Sequence, residues 1–343
     1  MTMGQSAGGG PEVLDGRDQA SISKAAGILK NGGLVAFPTE TVYGLGADGL
    51  SKNAVEKIYE AKGRPKTNPL ILHVADVEAA APLVADWPNM AQELADKYWP
   101  GPLTIVLQAS GLVPDIVRAG NPTVALRSPA HPVALDLLRT FDGPLAAPSA
   151  NRATELSPTK SEHVVKALGG AVGLVLDGGP TRAGIESTII SLAETPPRVL
   201  RLGPISIPEL EETLGPVAVF SGAVERGAMQ AAPGMSTRHY APKAQLSVHE
   251  LGELLEILGT LARQGRGGIA AIFLGDDISV PAELHKCVVK KLPGDPVGAM
   301  AGIYATLHDL DSIGCQRVLI QEPPQSAEWL AIRDRLFRAA SKE

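Results

Sequence analysis

Eight short apolar runs recur through the first two thirds of the chain: Leu34–Phe37, Leu70–Val74, Leu103–Leu107, Thr123–Leu126, Leu145–Ala147, Val172–Leu176, Thr188–Leu192 and Val199–Leu202. Runs this short fit strands buried in an α/β sheet better than core helices. Amphipathic stretches lie between several of them: Ser51–Ala61, Asn89–Tyr98, Pro132–Thr140 and Thr159–Leu168, with Asp18–Asn31 ahead of the first. Ser51 and Thr159 suit helix N-caps, and Thr159 with Glu162 matches a capping box. Not every pair of runs leaves room for a crossover helix, so a twisted mixed sheet is expected rather than an all-parallel one.

A length of 343 residues is more than one domain usually holds. Periodicity fades after Val217–Phe220, and Gly, Pro, Ala and Ser dominate up to about residue 243. A second α/β pattern follows: helix Glu250–Arg263, strands Ile269–Leu274 and Lys286–Lys290, helix Pro296–Leu310, strand Arg317–Ile320 and helix Ser326–Ala340. The organisation expected is a loose Gly-rich tail at 1–17, an α/β domain at 18–215, a linker at 216–243 and a small α/β domain at 244–343.

Charge limits the partners. The net charge is −6, and residues 1–215 carry 18 Lys+Arg against 23 Asp+Glu. Neither part is a basic module, so weak or no direct RNA binding is expected. Cys287 and Cys315 have no CxxC spacing and build no disulfide framework. The N-terminus has no signal-peptide pattern and no apolar run is long enough to span a bilayer, which makes a cytoplasmic location with no membrane association the expectation.

Several motifs fail on context. Gly44, Gly46 and Gly49 match GxGxxG, but Pro38–Thr41 separates them from the preceding strand, so a plain Gly-rich loop is expected. The GxSxG at 4–8 has no strand before it. There is no phosphate-binding GxxxxGK[ST], and the scattered histidines give no metal cluster.

Others cluster polar chemistry at strand ends, where α/β proteins place ligands. Phe37-Pro38-Thr39-Glu40-Thr41-Val42-Tyr43-Gly44-Leu45-Gly46 puts two hydroxyls and a carboxylate after a buried run. Lys62-Gly63-Arg64-Pro65-Lys66-Thr67-Asn68-Pro69 sets three cations among prolines, a pattern suited to phosphates but also to a solvated turn. His73 follows on the next run. Arg127 closes another run, Pro148-Ser149-Ala150-Asn151 follows a third, Glu186-Ser187-Thr188 opens a fourth and Arg201-Leu202-Gly203 closes the last. Taken singly each is ordinary strand-end polarity, whereas jointly they outline a shared pocket.

At these residues the chain resembles the YrdC/Sua5 family of threonylcarbamoyl-AMP synthases. FPTETVYGLG at 37–46, KGRPKTNPL at 62–70, TVALRSP at 123–129, PSAN at 148–151, STI at 187–189 and RLG at 201–203 carry the likeness, and APGMSTRHYAPK at 232–243 resembles the linker of the long, two-domain form. The resemblance implies a YrdC-like open α/β twist with a small Rossmann-like C-terminal domain. It implies a reaction in which L-threonine, bicarbonate and ATP with Mg²⁺ give threonylcarbamoyl-AMP and pyrophosphate. The product would pass to a tRNA threonylcarbamoyltransferase complex that makes t6A at position 37. It further implies that Thr41, His73, Arg127, Ala147 and Ser187 contact threonine. Arg64, Asn68, Thr123, Ser149, Asn151, Ser157 and Arg201 would hold ATP, with Tyr240 a candidate from the linker. Lys62, with Arg64 a catalytic candidate, would help bind phosphate or the carbamate. No protein metal site is implied. The alternatives are a non-catalytic double-stranded RNA-binding module, which the acidic total disfavours, and carbamoyl transfer in hydrogenase maturation, which expects zinc-finger modules that this chain lacks.

Overall fold

The computed structural model describes residues 10–220, 222, 230–234, 239–264, 267–276 and 287–341. The GxSxG at 4–8, Arg238 of the linker and Lys286 of an expected strand lie outside the described residues.

Among these residues, eleven strands make one sheet. In chain order they are β1 (Glu12–Asp15), β2 (Val35–Phe37), β3 (Gly44–Asp48), β4 (Ile71–His73), β5 (Leu103–Gln108), β6 (Thr123–Arg127), β7 (Leu145–Ala146), β8 (Leu174–Asp177), β9 (Thr188–Ser191), β10 (Arg198–Arg201) and β11 (Ala218–Val219). Their order across the sheet is β1-β8-β2-β3-β7-β4-β6-β5-β9-β10-β11. Pairs β4–β6 and β5–β9 are parallel, while β2–β3, β5–β6 and β9–β10 are antiparallel. The sheet is therefore mixed, as the short connections require.

Strand alternation distributes the core over both faces. Val35, Phe37, Leu174 and Leu176 pack with Ile22, Leu29 and Leu137 on one side, whereas Ala36 and Val175 join the other cluster. Asp18 caps helix Gln19–Lys30 by accepting from the Ala20 and Ser21 amides. Ser51 caps helix Lys52–Lys62, which ends at Gly63 in a left-handed conformation at φ 61°. A glycine takes that φ without strain, and the turn delivers Arg64 to the start of the basic run.

Three expectations need correction. Part of the expected tail is sheet: Glu12–Asp15 pairs in parallel with Leu174–Asp177, because an edge of the sheet supplies backbone partners that a composition reading does not see. The Gly-rich segment after Tyr43 is strand β3, antiparallel to β2. Glycine is needed there because a Cβ on Gly46 would lie 2.8 Å from the Phe37 ring. Thr159 does not cap a helix: helix Ser161–Leu168 has Lys160 at its N-cap without a side-chain bond, and the Thr159 amide donates to His163 Nδ1 at 3.3 Å. Helix Ile207–Leu214, with a Ser206–Glu209 capping box, and strand β12 (Gln245–His249) were not legible in the pattern.

The last hundred residues form a second sheet of β12, β13 (Ile269–Leu274), β14 (Val288–Leu292) and β15 (Arg317–Gln321) in the order β12-β15-β13-β14, all parallel. Helices Leu251–Arg263, Pro296–Ser312 and Leu330–Ala340 complete it. One apolar cluster joins Val42, Leu156 and Ile185 of the first unit to Tyr240, Ile303, Tyr304 and Leu336. The two units thus share buried surface. No helix among the described residues is long and apolar enough to cross a membrane.

Candidate active site

A cavity with about 550 Å³ of unfilled space, part of it open to solvent, lies where β2, β4, β6, β7 and β10 end. Thr41, Arg64, His73, Arg127, Ala147, Ser149, Glu186 and Arg201 line it from the first unit, and Pro233, Gly234, His239 and Tyr240 line it from the linker. Three arginines from separate places in the sequence face one space.

Each guanidinium is fixed by the protein. Arg64 donates from Nε to the Asn68 carbonyl at 3.2 Å and from Nη2 to Asn68 Oδ1 at 2.5 Å and the Pro69 carbonyl at 2.8 Å. Arg201 donates from Nε to the Ser187 carbonyl and from Nη2 to Ser187 Oγ, each at 3.0 Å. Arg127 donates from Nη2 to Glu40 Oε1 at 2.7 Å and Thr41 Oγ1 at 2.9 Å, and from Nε to the Gly101 carbonyl at 3.2 Å. Among the described residues, none of the Arg127 bonds uses Nη1. Guanidinia held this way are preorganised donors for an anion and need little reordering when it arrives.

The cavity is built for a negatively charged guest. Burial lowers the Arg64 pKa to about 10, and it also lowers that of Arg201, which marks both as incompletely compensated cations. Burial first, with Arg127 second, lowers His73 to about 3, so its imidazole is neutral near neutral pH. His239 is likewise held at about 3, by burial above all. His73 Nδ1, His239 Nδ1 and the Tyr240 hydroxyl are buried without a hydrogen-bond partner among the described residues. Orphaned polar atoms gathered around one space are what a polar ligand satisfies.

The family comparison agrees with this geometry. The Sua5/YciO/YrdC family model, described as Telomere recombination, matches residues 27–203, and a model described as Threonylcarbamoyl-AMP synthase, C-terminal domain, matches residues 205–341. The chain belongs to the Sua5/YrdC family. The Threonylcarbamoyl-AMP synthase of Pyrococcus abyssi is 39% identical over 331 residues, 94% of this chain and 95% of the relative. The Threonylcarbamoyl-AMP synthase of Bacillus subtilis is 40% identical over 323 residues, covering 93% and 92%. Among solved structures, P. abyssi Sua5 complexed with L-threonine superposes with a TM-score of 0.88 at 38% identity, covering 96% of this chain and 97% of the other.

Not every Sua5/YrdC motif residue faces the cavity. Lys62 is buried beside it, with Nζ donating to the Ser149 and Asn151 carbonyls at 2.5 Å each, and burial holds its pKa well below the ordinary lysine value. Asn68 accepts from Arg64. Asn151 Nδ2 donates to the Arg152 and Glu155 carbonyls, which shapes the loop around Lys62. Ser157 Oγ donates to Glu186 Oε1 at 2.5 Å. Ser187 Oγ sits between Arg201 and Thr104 Oγ1. Thr123 opens β6 and is not among the residues that line the cavity.

Two carboxylates escaped the sequence reading as site residues. Glu40 pairs with Arg127, and its second oxygen accepts from the Ala130 amide at 3.0 Å. Glu186 lines the cavity; burial pushes its carboxyl up, and Arg335 and Arg201 more than offset this, so its pKa falls below the usual value. A carboxylate between two threonines directly after a buried strand was the available signal for Glu40. Glu186 stood in the polar strand-end motif Glu186-Ser187-Thr188, but nothing there announced its partners Arg335 and Tyr304, which come from the far end of the chain.

Proposed function

We propose that the chain condenses L-threonine, bicarbonate and ATP into threonylcarbamoyl-AMP and pyrophosphate. Its activity is that of a threonylcarbamoyl-AMP synthase, a nucleotidyl transfer that serves tRNA t6A formation. The observation that carries the reading is the cavity with three fixed arginines, in a chain that matches P. abyssi Sua5, solved with L-threonine, over nearly its whole length.

The chemistry asks for positioning and charge neutralisation. The threonine amine attacks carbon dioxide derived from bicarbonate, forms an N–C bond and loses a proton. A carbamate oxygen then attacks the α-phosphorus, and the bond to the β-phosphate oxygen breaks to release pyrophosphate. Neither step needs a protein nucleophile. Arg127 suits the threonine carboxylate through Nη1, with Thr41, His73 and Ala147 around the side chain. Arg64, Arg201 and Ser149 suit the phosphates, with Tyr240 over the nucleotide. In this reading Asn68, Asn151, Ser157 and Ser187 hold those groups in place, Lys62 fixes the Ser149 loop beside the phosphates or carbamate, and Thr123 reaches the nucleotide from the edge. Mg²⁺ enters as part of the nucleotide substrate, held by phosphate oxygens and water, since Glu186 and Glu40 are both engaged by arginines.

The test is pyrophosphate release measured with each substrate omitted in turn. Release should require threonine, bicarbonate and Mg²⁺·ATP together. Equal release without threonine overturns the reading. Delivery of the product to a tRNA threonylcarbamoyltransferase complex is part of the same proposal, supported by the lability of a mixed anhydride, which needs a nearby acceptor. The non-catalytic RNA-binding alternative is not favoured.

A further inference from the structure

Arg335 sits in the middle of helix Leu330–Ala340, yet its side chain is only 1% exposed. A buried guanidinium is tolerated when its donors are all met by well-placed acceptors. Here the acceptors come largely from the other domain. Nε donates to Glu186 Oε2 at 2.9 Å, and Nη2 donates to the Leu202 carbonyl at 2.8 Å. Nη1 meets its neighbour Asp334 at 2.7 Å. The guanidinium also lies over the Tyr240 ring, 4.8 Å from its centroid.

The two acceptors across the interface bracket the catalytic wall. Glu186 precedes Ser187 and Leu202 follows Arg201, and the Arg201–Ser187 pair is what aims a guanidinium into the cavity. Tyr240 is one of the linker residues that line the same space. We propose that Arg335 is a positioning residue for the reaction, locking Glu186, the Arg201 wall and the Tyr240 ring together so that the anion site is complete only with the C-terminal domain docked.

The electrostatic reason concerns Glu186. A carboxylate on the wall of an anion site opposes phosphate unless its charge is taken up elsewhere. Three donors take it up: Arg335, Tyr304 Oη at 3.2 Å on the same oxygen, and Ser157 on the other. Two of the three belong to the C-terminal domain. Without Arg335, Glu186 is free to claim Arg201 and remove it from the guest.

This proposal rests on the reading of the cavity as an ATP site. The test uses the full-length chain and titrates Mg²⁺·ATP alone by calorimetry into wild type, Arg335→Met, Glu186→Gln and the double variant, with folding checked by circular dichroism. Arg335→Met should weaken ATP binding about tenfold or more, as expected for a buried carboxylate stripped of its cation. In the Glu186→Gln background the same change should matter by less than about threefold, because the amide carries no charge to neutralise. Equal effects in the two backgrounds mean that Arg335 only staples the domains, which overturns the proposal. So does unchanged binding in Arg335→Met. If Arg335→Met does not fold, Tyr304→Phe takes its place: it removes one bond to the same oxygen and should weaken ATP about threefold, with no effect once Glu186 is Gln. Wild-type-like binding by Tyr304→Phe overturns the proposal. Wild-type chain that binds no ATP overturns the functional reading as well, whereas normal wild-type binding with an indifferent Arg335→Met overturns this proposal alone.

Discussion

Arg127, which lines the cavity, and Glu40 form a buried ion pair of 2.7 Å, with side chains 5% and 7% exposed. The pair fixes the guanidinium through Nη2, and no described residue bonds Nη1. Removing one member leaves the other charge buried and unpaired. Glu40→Gln should therefore destabilise the fold by about 3 kcal/mol, the lower end for a buried pair because the cavity admits water. Urea unfolding measures this, and a change within about 0.5 kcal/mol, ordinary for a surface substitution, would show that the pair is not stabilising.

Arg64 is held by three bonds to Asn68 and Pro69. Arg64→Ala should reduce turnover by about 10²-fold or more, as for loss of a preorganised charge on the transition state. Asn68→Ala keeps the charge but loosens it, so its loss should be smaller. Initial rates of pyrophosphate release compare the two. Wild-type turnover in Arg64→Ala would show that this buried guanidinium does not act on the phosphates.

Ala147 and Thr41 line the cavity together with Arg127, which bonds the Thr41 hydroxyl. Serine lacks one methyl group of threonine, which a pocket discriminates by about 1–3 kcal/mol. Serine should be a poor but measurable substrate in competition assays. Complete inertness at high serine concentration would point to discrimination by closure instead of by methyl contact.

Gly203 is closely packed against backbone: an added Cβ would lie 2.3 Å from the Thr188 nitrogen and 2.6 Å from the Ser187 carbonyl carbon. No side-chain adjustment relieves such a contact. Gly203→Ala should cost about 1–3 kcal/mol by overpacking and should lower activity as well, since Ser187 positions Arg201. Thermal unfolding and turnover should fall together. An unchanged melting temperature would show that the backbone yields freely there.

His163 stacks on His308 across the domain interface, with ring centroids 3.8 Å apart. Burial first, then His308, holds the His163 pKa at about 3 against an ordinary 6.5. The unfolded chain therefore binds a proton that the folded chain refuses. Stability should be unaffected by this group above about pH 6.5 and should decline as pH falls from about 6.5 toward about 3. His163→Gln should flatten the melting temperature against pH over that window. An identical slope in the variant would assign the acid sensitivity to other groups.

Much of the site was legible because its chemistry is local. The strand runs, the helix from Gln19 to Lys30 and the cationic turn after Gly63 each follow from a periodicity or a cap within a few residues. Arg64, Arg127 and Arg201 were recognisable at strand ends or in a constrained turn. The strand after Tyr43 was not, because the Phe37 ring packed across the strand is what requires glycine at 46, and glycine by itself reads as loop.

The sequence alone thus determined the mixed sheet, the second α/β unit and the polar strand ends, since these depend on residue spacing along the chain. Only the tertiary structure decided which polar groups share a space. It paired Arg127 with Glu40, turned Lys62 toward carbonyls, and placed Tyr240 among the residues that line the cavity. It also brought Arg335 from near the chain's end to Glu186. A buried charge must find its counter-charge wherever folding puts it, and such a partner, 149 positions away, leaves no mark on the residues around either member.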